Sequence, residues 1–99
     1  MAQWKSTIKP VIESTPISYT LTATNCEFTI PDISAAVRSI SSDNCTENNM
    51  LTITQEPSAG TPIVQNENVQ EIPILAVVTD ECGNANYKEA TILFLQKYL

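Results

Sequence analysis

The chain has 99 residues, a length that suits one domain built around one core. It is 42% apolar and 16% charged, unlike a disordered chain, and its twelve threonines, eleven isoleucines and six valines point to sheet rather than helix. Five basic residues against eleven acidic ones give a net charge of −6, with no histidine and two glycines, which excludes a basic patch for phosphate, a histidine general base or metal ligand, and a glycine-rich phosphate loop. Nucleic acid is therefore not an expected partner. No apolar run approaches the roughly 20 residues of a membrane-spanning helix, so the chain is not expected to cross a membrane. The opening stretch Met1 to Pro10 lacks the apolar core of an export signal. These features together suggest a non-catalytic piece of a longer, exported protein.

Residues 1–9 read as an N-terminal extension or linker, and residues 10–99 as a single domain. Ile17, Tyr19, Leu21 and Ala23 alternate with Ser18, Thr20 and Thr22, the pattern of a half-buried strand. Phe28 and Ile30 continue the alternation until Pro31-Asp32. Ile33 to Ser41 is read as extended or irregular, because its serines and β-branched residues are poor helix formers; a short helical turn is the other reading, since Ile33, Val37 and Ile40 have helical spacing. Leu51 and Ile53 form a strand broken by Pro57 to Pro62, and Ile63-Val64 a short one followed by the polar turn Gln65 to Asn68. Ile72 to Val78 is apolar on both faces and should be central. Asp80 to Asn86 is a turn by composition, and Ala90, Ile92 and Phe94 mark the last strand. Six or seven short strands predict an all-β, antiparallel sandwich of about seven strands. Leu21, Phe28, Ile30, Ile53, Ile74, Ala76, Val78, Ile92 and Phe94 are its expected core.

Three pieces carry a resemblance: Cys26 to Asp32 (CEFTIPD), Ser42-Asp43-Asn44-Cys45, and Thr79 to Asn84 (TDECGN), with Leu51 to Thr61 (LTITQEPSAGT) between the last two. Taken in order, the D-N-C element, the T-Q-x-P-x-x-G-T stretch and the D-x-x-G-N turn resemble a hyalin repeat (HYR) domain of large bacterial surface proteins. The resemblance spans roughly Pro10 to Leu95. It implies an immunoglobulin-like, fibronectin-like β-sandwich and a role in extracellular adhesion or in spacing other modules, with no catalytic activity. Where many members carry a cysteine near the first strand and another in the last, this chain reads Ile12-Glu13-Ser14 and Tyr87-Lys88-Glu89.

In a fibronectin-like strand order, the loop before Leu51 and the loop after Val78 share one end of the domain. That order implies a Cys45–Cys82 disulfide with Cys26 unpaired; a Cys26–Cys45 bridge across a hairpin and three free thiols are the rival readings. Without histidine, neither a zinc site nor an activated thiol is expected. Among the loop carboxylates Asp32, Asp43, Asp80 and Glu81, the calcium candidates are Asp43, Asp80 and Glu81, since carboxylates with carbonyls can supply that ion's oxygens. Turn chemistry is the preferred reading of the same residues, so no cofactor is expected. Trp4 reads as an anchor packed on the sandwich.

The expected function is thus a non-enzymatic spacer or adhesion module, extracellular or at the cell surface. Its partners would be neighbouring domains of the same protein and a host or cell-surface ligand, with the chain itself monomeric. The alternative is a module that binds carbohydrate or another ligand, which six aromatic residues, mostly on apolar faces, do not favour.

Overall fold

The computed structural model describes residues 8–23, 27–64 and 69–96. Trp4, Cys26, the Gln65–Asn68 turn and most of the expected extension lie outside them. Among the described residues the architecture is all-β, with eight strand segments: β1 (Val11–Ile12), β2 (Ser18–Ala23), β3 (Glu27–Thr29), β4 (Ser41–Ser42), β5 (Thr52–Glu56), β6 (Pro62–Val64), β7 (Val69–Thr79) and β8 (Ala85–Gln96). One helix, α1 (Ser34–Ser39), and a 3-10 turn at Asn48–Met50 interrupt them.

The main sheet has the order β2-β8-β7-β5, and two ribbons, β1-β4 and β3-β6, accompany it. β7 is interior, flanked by β8 and β5, as its apolar run suggests. It is covered on one face only: Ile74, Ala76 and Val78 are fully buried, whereas Leu75 is 43% exposed. At Pro73 β7 has already run past its partner β5, whose pairing stops at Glu56↔Leu75. A residue without an N–H is tolerated where a strand has lost a neighbour.

The expectation of a wholly antiparallel arrangement is corrected by β2, which runs parallel to β8 from Ser18↔Thr91 to Ala23↔Gln96. Alternation fixes which residues face the core but not strand direction. The long chain between β2 and β8 leaves either direction open, unlike a hairpin. The remaining pairs are antiparallel.

Register lines up the core. Tyr19↔Ile92 and Leu21↔Phe94 on one side, Ile72↔Ile92 and Ile74↔Ala90 in the middle, and Ile53↔Val78 on the other put apolar side chains of four strands on one face. Phe28 of β3 meets Phe94 of β8 edge to face, ring centroids 4.5 Å apart, which seats the β3-β6 ribbon on that face. Of the expected core, Phe28, Ile30, Ile74, Ala76, Val78, Ile92 and Phe94 are buried, and Leu21 and Ile53 are partly buried against them. Ile33, Val37, Leu51 and Ala90 join them.

Ile33 and Val37 enter the core because Ser34–Ser39 is an α-helix, correcting the preference for extended structure. Local bonds explain the change. Asp32 Oδ1 accepts the Ser34 N–H at 2.9 Å, satisfying one of the donors a helix start leaves open. At the other end, Ser41 Oγ donates to the Val37 carbonyl at 2.6 Å, and Arg38 Nη1 donates to the carbonyls of Asn48 and Leu51, tying the helix to the segment before β5.

Candidate functional site

Antiparallel pairing of β5 with β7 sets Thr52 opposite Thr79, so the segment before β5 and the turn after β7 emerge at one end of the sheet. The D-N-C element and the D-E-C-G-N turn meet there. The Thr46 hydroxyl accepts the Glu81 N–H at 3.1 Å, and Thr46 itself is buried.

Each element is organised by its leading aspartate. Asp43 Oδ2 accepts the N–H groups of Cys45 (3.2 Å) and Thr46 (3.0 Å), an Asx-type turn. Asp80, only 5% exposed, accepts the N–H groups of Cys82 and Asn84 on Oδ1 (2.9 and 2.8 Å) and the Asn84 side-chain amide on Oδ2 (3.0 Å). The Asp80 N–H in turn donates to the Asn84 carbonyl at 2.9 Å, and the Gly83 N–H to the Asp80 carbonyl at 3.2 Å. Gly83 has φ +88°, a left-handed conformation that a Cβ would strain. Burial pushes the Asp80 carboxyl up, but the hydrogen bonds from the Asn84 side chain and from the Asn84, Cys82 and Gly83 amides outweigh it, leaving the carboxyl below its ordinary value.

The three calcium candidates therefore have different fates. Both Asp80 oxygens face its own turn, Glu81 is exposed, and Asp43 keeps one buried oxygen, Oδ1, without a hydrogen-bond partner among the described residues. No three histidine, cysteine, aspartate or glutamate side chains converge as metal ligands among the described residues. Asp43 and Asp80 both accept the amides of their own turns.

The disulfide expected between Cys45 and Cys82 is not formed in this structure: both are thiols, Cys45 exposed and Cys82 half-buried. Their elements nonetheless share one end, as the strand order implied.

The third motif stretch is also structural, and its central residue was not singled out from sequence. Gln55 Oε1 accepts the Ile33 N–H at 3.0 Å, and its Nε2 donates to the carbonyls of Pro31 (2.9 Å) and Pro57 (3.1 Å). One side chain thereby ties β5 to the start of α1 and to its own following bend. A signal was available, because Gln55 falls in phase with the inward Ile53. Beyond it, Gly60 at φ +85° donates its N–H to the Ile30 carbonyl at 2.7 Å, and Thr61 Oγ1 donates to the Ser58 carbonyl at 2.7 Å. The Glu56–Pro57 peptide is cis.

No described helix is long and apolar enough to cross a membrane. No protein family, characterised protein or solved structure matched the chain.

Proposed function

We propose that the chain is a non-enzymatic, immunoglobulin-like β-sandwich module of the hyalin-repeat kind, a spacer or adhesion unit in a larger extracellular or cell-surface bacterial protein. The observation that carries this reading is shape. The 11-residue β7 and 12-residue β8 form one long antiparallel pair. At about 3.4 Å per residue this pair runs for roughly 35–40 Å. An elongated, sheet-built unit suits setting distance between neighbours.

Two further features support it. The order β5-β7-β8 facing a β3-β6 pair parallels the C-F-G and B-E strands of immunoglobulin sandwiches, with β2 added beside the last strand. The polar residues of the three motifs hold backbone: Asp43, Gln55 and Asp80 all bond to main-chain groups. Side chains committed in this way are a scaffold's parts rather than a substrate's contacts.

Joining two copies end to end tests the spacer role. Small-angle scattering of the single chain and of the pair should show the maximum dimension growing by roughly one module length. A pair no longer than the single chain, folded back on itself, would contradict it.

A further inference from the structure

We propose that Cys45 and Cys82 are a redox pair that closes into a disulfide when the folded protein meets a disulfide oxidant, clipping the segment before β5 to the β7–β8 turn. Each cysteine rides a turn held by a carboxylate, the Cys45 N–H on Asp43 Oδ2 and the Cys82 N–H on Asp80 Oδ1. The two turns are bonded to each other at the adjoining residues, Glu81 N–H to Thr46 Oγ1 at 3.1 Å. Standard covalent geometry then puts the Cα atoms of Thr46 and Glu81 no more than about 7 Å apart. Each cysteine lies one residue, about 3.8 Å, beyond that contact on its own chain, and a bridge needs Cα atoms within roughly 7 Å, so closure asks the two turns to adjust locally while the strands keep their register. Both thiols are reachable, Cys45 exposed and Cys82 half-buried.

With oxidised glutathione as oxidant the chemistry balances. One cysteine thiolate attacks the glutathione disulfide, expels a glutathione thiolate and leaves a mixed disulfide. The second cysteine thiolate attacks that bond and expels the other glutathione. The protein loses two protons and two electrons, and one oxidised glutathione becomes two reduced ones. This chemistry is independent of whether the chain serves as a spacer.

The experiment uses the full chain, oxidised with glutathione disulfide in its folded state and cleaved after glutamate without reduction. Glu13, Glu27, Glu47, Glu81 and Glu89 put Cys26, Cys45 and Cys82 on separate segments, 14–27, 28–47 and 82–89. Segments 28–47 and 82–89 should appear joined, two hydrogens lighter than their sum. The bridge closes a loop of 37 residues, so the oxidised protein should melt higher than the reduced one by roughly 15–30 °C. Cys45→Ser and Cys82→Ser should each abolish the linkage and the shift, with far-ultraviolet circular dichroism showing both variants folded; Cys26→Ser should leave both intact. Linkage of 14–27 to either segment, bridges only between molecules, or Cys45 and Cys82 still titrating as thiols after oxidation would overturn the assignment.

Discussion

Replacing Phe94 with alanine should cost about 3–5 kcal/mol of folding free energy, the span measured for buried phenylalanines. Phe94 is fully buried, at the centre of the face where β2, β8 and the β3-β6 ribbon meet. Removing the ring returns roughly 150–200 Å² of apolar surface to the balance, worth about 4–5 kcal/mol at 25 cal/mol per Å². It also deletes the edge-to-face contact with Phe28 at 4.5 Å, worth about 0.5–1.5 kcal/mol beyond area. A domain of this size holds only about 5–15 kcal/mol in total, so the melting point should fall by roughly 15–30 °C. Urea titration followed by circular dichroism reads the loss. A cycle with Phe28→Leu and Phe94→Leu, milder changes that keep the fold, isolates the ring contact as a coupling of the order given above. Leu75→Ala, on the open face of β7, serves as a control and should cost under about 1 kcal/mol. A Phe94→Ala protein destabilised by less than about 1 kcal/mol, or no more than Leu75→Ala, would show that the core face has been misassigned.

Gln55→Ala strands the Ile33 N–H and the Pro31 and Pro57 carbonyls, and should cost about 1–3 kcal/mol in the same titration. Gly83→Ala meets no atom within 4 Å, so any loss, expected at about 1–2 kcal/mol, comes from the φ of +88° alone. Asp80 and Asp32 both titrate below the ordinary carboxylate value, Asp32 through the Ser34 side chain and amide. Their contribution is complete above the unfolded value of about 3.9 and disappears as pH falls through their lower folded values, because the unfolded chain takes up protons first. Melting points measured from pH 6 down to pH 2 should therefore drop on the acid side, and Asp80→Asn should flatten that drop; an unchanged acid limb would contradict the turn's hydrogen bonding.

The periodicities made most strands and their inward faces legible. Phe28, Ile74 and Phe94 are where alternation puts them because a strand's faces repeat every two residues whatever its partners. Partner direction does not leave that trace, and the parallel pairing of β2 with β8 was invisible for this reason. α1 was half-legible. The spacing of Ile33 and Val37 was helical, but the deciding terms were the Asp32 carboxylate's bond from the Ser34 N–H and the reach of Arg38 to the Asn48 and Leu51 carbonyls, one of them a long-range contact by sequence. Of the candidate site, the turn roles of Asp43 and Asp80 followed from residue type, since a short carboxylate readily accepts nearby amides. The role of Gln55 did not, because Pro31 and Ile33 lie more than twenty residues away in sequence.

That the motif loops are scaffold, with their polar side chains spent on backbone, is tested most directly by native-state amide hydrogen exchange. The N–H groups of Ile33, Glu81, Cys82 and Asn84 each donate to a side-chain oxygen, of Gln55, Thr46, Asp80 and Asp80 respectively. The account predicts these four loop amides to be protected well above unfolded-chain rates, with the Ile33 amide losing its protection in Gln55→Ala and the Cys82 and Asn84 amides in Asp80→Ala. Exchange of the four at unfolded-chain rates in the folded wild-type protein would contradict it.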